Sequence, residues 1–168
     1  MFRTLARLTG RGEGIEDLAQ EVFLRLYRAL PHFQARANLS TYVYRIVVNV
    51  AKDELHRAER ARRLISLDDP GGSWPDRLVH PALDPAQTFL HGQLMDALER
   101  AISQLGLHER AVLTLYYQEE RSYGEIAEIL GIPMGTVKTH LFRARQRLRS
   151  IMKEWVTTCQ KARRNANP

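Results

Sequence analysis

Residues 122–152 read SYGEIAEILGIPMGTVKTHLFRARQRLRSIM, and the order of residue types in that stretch decides the fold. Ser122 suits a helix N-cap, since its hydroxyl can accept from an unpaired N–H of the first turn. Ile126, Ala127 and Leu130 recur at helical spacing and predict a short helix with one buried face. Gly131 supplies the left-handed backbone needed to leave that helix. Ile132 plugs the space between helices, and Pro133 prevents the first helix from continuing. A second helix opens at Thr136 or the backbone near Gly135. It buries Val137, Leu141, Ala144, Leu148 and Ile151, and shows Lys138, Thr139, His140, Arg143, Gln146 and Arg147 elsewhere. A short helix, a tight glycine turn and a longer basic helix make a helix-turn-helix, whose second helix enters the DNA major groove. Side chains near its start reach base edges, which selects Gly135, Thr136, Lys138 and Thr139. Arg143, Arg145, Arg147 and Arg149 lie further along and suit phosphate contacts. A solvated amphipathic helix in a bundle is the plainer reading, but it explains neither the turn chemistry nor the basic face.

Working outward, helical spacing holds for Leu90, Leu94, Leu98, Ala101, Ile102 and Leu105, with Gly106 as a stop and a short helix around Glu109 to Gln118. Upstream, residues 66–85 (SLDDPGGSWPDRLVHPALDP) place four prolines and two glycines in 20 residues, so no regular element persists there. This is read as a linker, able to reach roughly 65–70 Å when extended. Ahead of it, Ile15, Leu18, Ala19, Val22, Phe23, Leu26 and Leu30 predict one helical face, ended by Pro31. Ser40 or Thr41 caps the next helix, whose apolar face is Tyr42, Val43, Ile46, Val47, Val50 and Leu55.

Charge divides the chain the same way. Residues 1–65 carry net +5, residues 66–99 net −5 and residues 100–168 net +6, for a total of +6 with Arg far ahead of Lys. Two basic blocks flanking an acidic middle suggest two binding modules and a connector. A single cysteine, Cys159, builds neither a disulfide framework nor a zinc site. No apolar run nears the ~20 residues of a membrane span, and no leader is evident. A cytoplasmic protein without membrane insertion is expected. No phosphate-cradling glycine loop, nucleophile elbow or zinc-protease motif occurs. Asp53, Glu54, His56 and Glu59 share a helix, but Arg57 and Arg60 compete for the carboxylates and no second ligand cluster is evident. No enzyme activity, metal or cofactor is expected.

The first block narrows the choice. LTGRGEGIEDLAQEVFLRLYRALPHF (8–33), followed by ANLSTYVYRIVVNVAKDELHR (37–57), closely resembles region two of extracytoplasmic-function sigma factors, a subfamily of the sigma-70 family of bacterial RNA polymerase. The segment from Leu105 to Arg149 resembles their region four. Together these cover roughly two-thirds of the chain, in the right order and across the right kind of linker.

The resemblance implies an all-α protein of two small helical domains joined by a flexible acidic linker, the second a helix-turn-helix of the winged-helix-like, region-four type. The implied divisions are 1–65 for region two, 66–88 for the linker, 89–156 for region four and 157–168 for a tail. The implied function is to direct core RNA polymerase to specific promoters and assist strand opening. Asp17, Gln20, Glu21, Leu24 and Arg28 would face the clamp helices of the largest polymerase subunit, and region four its flap. The loop Ala37–Ser40 would capture a base flipped from the melted non-template strand, with the Asn38 amide suited to a base edge. Ser40, Tyr42, Tyr44, Arg45, Asn49, Lys52 and Arg57 would line the strand of the −10 element, although Tyr42 fits the core equally well. Gly135, Thr136, Lys138, Thr139, Arg143, Arg145 and Arg147 would take the −35 duplex. Asp68, Asp69, Asp76 and Asp84 would either mimic a nucleic-acid backbone or simply solvate a tether. An anti-sigma partner is implied as well. Relatives carry a further helix or more ahead of Leu8, so Met1 to Leu8 is expected to be only its end, the start lying upstream. The other reading is a stand-alone helix-turn-helix regulator, which would bind duplex DNA tightly without polymerase. Residues 15–57 lack the ligand pocket or phospho-acceptor site it would need.

Overall fold

The computed structural model describes residues 1–33, 38–64 and 85–165. The acidic linker residues Asp68, Asp69, Asp76 and Asp84 lie outside them, as do Ala37 of the capture loop and the last three residues of the tail. The side chains of Cys159, Lys161, Arg163 and Arg164 also fall outside.

All regular structure among the described residues is helical. The elements are α1 (Phe2–Thr9), α2 (Ile15–Ala29), α3 (Leu39–Leu64), α4 (Pro85–Ser103), α5 (Leu107–Tyr117), α6 (Tyr123–Leu130) and α7 (Met134–Asn165). α1 buries Leu5 and Leu8 completely and ends on Gly10 at φ 70°, a left-handed C-cap. α2 carries Glu16 and Asp17 in its first turn, where the helix dipole favours carboxylates, and gives way to a 3-10 turn over Leu30–His32 that contains Pro31. α3 turns Ile46, Val47, Val48, Val50 and Ala51 inward.

Several expectations are corrected. Phe23 and Leu30, expected on the buried face of α2, lie on the surface, as do Leu24 and Tyr27. Leu94 is likewise exposed. The cap of α3 is Asn38, whose Oδ1 accepts from Ser40 N–H at 3.1 Å, rather than Ser40 or Thr41. Gly106 does not stop α4, which ends at Ser103; it is the N-cap of α5 in extended backbone. α4 begins at Pro85, inside the stretch read as linker, because proline fits a helix's first turn. α7 begins at Met134, and it continues through the expected tail to Asn165.

The two helical halves share one apolar cluster. It runs from Leu5, Leu8, Val22, Val47 and Val50 of the first half to Val112, Leu115, Ile126, Val137 and Leu141 of the second. α1 packs on α4 and α5, and α3 packs on α6. A smaller cluster of Ile102, Leu105, Leu113 and Ala144 joins α4, α5 and α7. Arg110 is buried with them, its Nη2 donating to Leu105 O at 3.2 Å; burial pulls its guanidinium pKa down.

Candidate nucleic-acid interface

The helix-turn-helix is built by local chemistry. Ser122 and Glu125 form a reciprocal capping box: the Glu125 N–H donates to Ser122 Oγ at 3.3 Å, and Ser122 N–H donates to Glu125 Oε2 at 2.9 Å. The backbone N–H and hydroxyl of Ser122, with Arg121, hold the Glu125 carboxyl at about 2. Gly131 closes α6 at φ 64°, the left-handed region that glycine adopts at no steric cost. Thr136 and Val137 donate their N–H groups back to Pro133 O at 2.9 and 3.1 Å, which sets the start of α7.

α7 then presents its surface as expected. Val137, Leu141 and Ala144 are buried, while Gly135, Lys138, Thr139, Arg143, Arg145 and Arg147 are exposed and Thr136 is half-buried. Thr139 spends its hydroxyl on Gly135 O at 2.9 Å, so its methyl is the group left for a partner. One turn on, Phe142 stands 61% exposed at the middle of this face. Sequence reading passed over it; an apolar residue on the face opposite Val137, Leu141 and Ala144 was the available signal. Lys138 flanks this apolar strip on one side and Arg143 on the other. Arg145 is engaged within the protein, its Nε donating to Tyr117 Oη at 2.8 Å. Arg147 lies 3.9 Å from Glu109. His140 stacks on His108 with ring centroids 5.6 Å apart; burial, then the neighbouring His108, keep its pKa below the usual imidazole value.

In the first half, Asn38, Tyr42, Arg45, Asn49 and Lys52 recur every three or four residues and so fall on one stripe of α3 and its cap. Arg45, Asn49 and Lys52 are exposed, whereas the Tyr42 ring is half-buried against Phe33 with centroids 5.3 Å apart. Ser40 and Arg57 are off the stripe. Ser40 accepts from Arg121 at 3.3 Å, and Arg57 pairs with Glu54 at 2.9 Å. Arg45 donates to Glu128 O at 2.6 Å, at the end of α6.

On α2, Asp17, Gln20, Leu24 and Arg28 are exposed along one side, and Glu21 is tied to Arg25 at 2.7 Å. Sequence reading missed the apolar part of this surface: Phe23, Tyr27 and Leu30, with Tyr27 77% exposed. Exposed apolar side chains of this size on one helix are the kind of surface that a partner can cover. Asp53 pairs with Arg25, and Glu54 with Arg11 and Arg57.

Comparisons with known proteins find two regions of one family on this chain. The family model for sigma-70 region 2 matches residues 1–61, and that for sigma-70, region 4 matches residues 95–148. The chain is 30% identical over 156 residues to the ECF RNA polymerase sigma factor SigW of Bacillus subtilis (strain 168), covering 92% of this chain and 83% of that one. It is 32% identical over 146 residues to the RNA polymerase sigma-H factor of Pseudomonas aeruginosa, covering 84% and 75%. Among solved structures it resembles the sigma factor RpoE of Bartonella quintana, in complex with the anti-sigma factor NepR. There the TM-score is 0.68 at 22% identity, over 90% of this chain and 89% of that one.

Proposed function

Because the chain belongs to the extracytoplasmic-function sigma factors of RNA polymerase, we propose that its three exposed surfaces divide one task among polymerase, melted strand and duplex. The protein acts in transcription initiation and is not an enzyme. Residues 1–65 serve as the polymerase and −10 module, 66–88 as the connector, 89–156 as the −35 module and 157–168 as a tail. Asp17, Gln20, Glu21, Leu24 and Arg28, joined by Phe23, Tyr27 and Leu30, meet the clamp helices of the largest subunit. Region four meets the flap. The aromatic and aliphatic side chains supply contact area and the charges supply register.

The stripe Asn38, Tyr42, Arg45, Asn49 and Lys52, with Ser40 and Arg57 beside it, tracks the melted non-template strand. Lys52 and the arginines neutralise phosphates there, and the Asn38 amide offers a donor to a base edge. Lys138, Thr139 and Phe142 address the −35 bases, while Arg143 and Arg147 position the duplex through phosphates. Gly135 and Thr136 let the backbone at the start of α7 come close. No covalent chemistry is performed; the free energy of two promoter contacts made through one chain stabilises the opened upstream edge of the bubble.

An anti-sigma factor restrains the protein, as one accompanies the Bartonella sigma factor. Among the described residues no helix is long and apolar enough to cross a membrane, in keeping with work in the cytoplasm.

The observation that carries this reading is the presence of both family regions, in order, on one chain. Transcription in vitro with core polymerase on a promoter library tests it. Transcripts from a defined promoter set that need both protein and core polymerase are expected. Tight, polymerase-independent binding to duplex with no change in polymerase output would instead identify a stand-alone regulator.

A further inference from the structure

On α7, His140, Arg143 and Arg147 recur at i, i+3 and i+7 and so share one flank of the helix. A helix about 10–12 Å across fills a major groove about 12 Å wide, so its flanks meet the sugar–phosphate walls. Arg143 and Arg147 are exposed on that flank, and His140 is half-buried. His108, exposed in the first turn of α5, stacks on His140 with ring centroids 5.6 Å apart and planes 18° from parallel. Two histidines thus sit beside two arginines at the edge of the duplex-reading face. Neither histidine has a part in the contacts proposed above.

The surroundings of His140 are short of hydrogen bonds. Its Nδ1 is buried with no hydrogen-bond partner among the described residues, and so is Glu109 Oε2, which Arg147 approaches only to 3.9 Å. The groups that act on the imidazole are His108 and Glu109 of α5 and Arg143 of its own helix. α4 and α6 also pack on α7, and among the described residues no charge of theirs joins that set. Burial, His108 and Arg143 disfavour the imidazolium, and Glu109 favours it; the balance keeps the ring neutral in the free protein at neutral pH. A DNA phosphate brought against Arg143 and Arg147 adds negative charge beside the ring and reverses that balance. A neutral imidazole has one N–H and an imidazolium has two. Protonation therefore lets one nitrogen donate outward while Nδ1 carries its proton on the buried side, where Glu109 supplies the opposite charge.

We infer that His140, with His108 stacked on it, is a further contact to the backbone of the −35 duplex, one that takes up a proton on binding and so grips harder as the pH falls. The inference rests on the duplex-reading role proposed above for α7. Linkage is reciprocal: whatever the duplex does to proton affinity, the proton does to duplex affinity. One proton taken up strengthens binding by up to about tenfold per pH unit. The direction is opposite to that for folding, because the proton that weakens the free protein strengthens the complex. Promoters that lean on the −35 contact are thereby favoured as the surroundings turn acidic.

The test uses the full chain with core polymerase and a fluorescent promoter duplex, at constant ionic strength. Apparent affinities of wild type and His140→Gln are compared between pH 7.5 and pH 6. Core polymerase is common to both, so its own titrations cancel in the ratio. The advantage of wild type over His140→Gln is expected to grow about fivefold across that range. His140→Arg, a fixed cation on the same flank, is expected to bind at pH 7.5 as wild type binds at pH 6, and to lack the gain. Each variant decides by itself, so one that fails to fold leaves the other to judge. A ratio that stays flat, or the full wild-type gain in His140→Arg, overturns the inference. Wild type that brings polymerase to no promoter at any pH overturns the promoter-reading function itself, an outcome distinguishable from binding that merely ignores pH.

Discussion

Arg145 rests on the tyrosines of α5: its Nε donates to Tyr117 Oη at 2.8 Å, and its guanidinium carbon lies 5.4 and 5.5 Å from the ring centroids of Tyr117 and Tyr116. The arginine therefore ties α7 to α5 while remaining exposed on the surface of α7. Arg145→Ala should destabilise the protein by about 1 kcal/mol, the scale of one exposed cation–π contact plus a hydrogen bond. Arg143→Ala should leave the melting temperature unchanged and weaken −35 binding. Thermal melts paired with duplex titrations check both. A normal melt with lost binding for Arg145→Ala would return it to the DNA face.

Phe142 and the Thr139 methyl form an apolar strip flanked by cations, which suits thymine methyl groups in a major groove. Replacing thymine by deoxyuridine at the contacted position should weaken binding about fourfold, from ~0.8 kcal/mol per buried methyl. The same replacement should have no effect on Phe142→Ala protein. Competition titrations on the two duplexes read this directly.

Asn38 caps α3 through Oδ1, which leaves its amide nitrogen for the base edge proposed above. Asn38→Asp keeps an accepting oxygen for Ser40 N–H and removes the amide donor. Its melting temperature should hold while open-complex formation slows, as permanganate footprinting would show. Asn38→Ala should lower both.

The capping box sets an acid dependence. Glu125 titrates at about 2 when folded against an ordinary 4.5, so its stabilisation is complete above pH 4.5 and is lost as pH falls towards 2. Ser122→Ala should cost about 1 kcal/mol at pH 7. The gap in melting temperature between variant and wild type should narrow by pH 3.

His140 acts nearer neutrality. Its folded pKa lies below the ordinary 6.5, so the unfolded chain takes up the proton first. Stability should therefore fall as pH drops below about 6.5. His140→Gln should flatten the melting profile between pH 7 and 5; an unchanged slope would assign that dependence to another group.

What the sequence revealed was chemistry that acts within a few residues. Ser122, Gly131 and Pro133 each force a local backbone outcome, and the helix-turn-helix follows from them. Periodicity located the stripes of α3 and α7 for the same reason. It could not separate a core from a partner surface, since both are apolar: Phe23 and Leu30 repeat in step with Val22 and Leu26 yet face outward. Nor could it see Arg145 meeting Tyr117, or Glu119 meeting Thr4 across 115 positions. Such pairings depend on where α5 meets α1 and α7, which no local pattern encodes.

The apolar cluster common to both halves also makes them lean on one store of cohesion, since Val47 and Val50 share it with Val137 and Leu141. A cavity opened in either half therefore weakens the other, and the two are expected to melt as a unit.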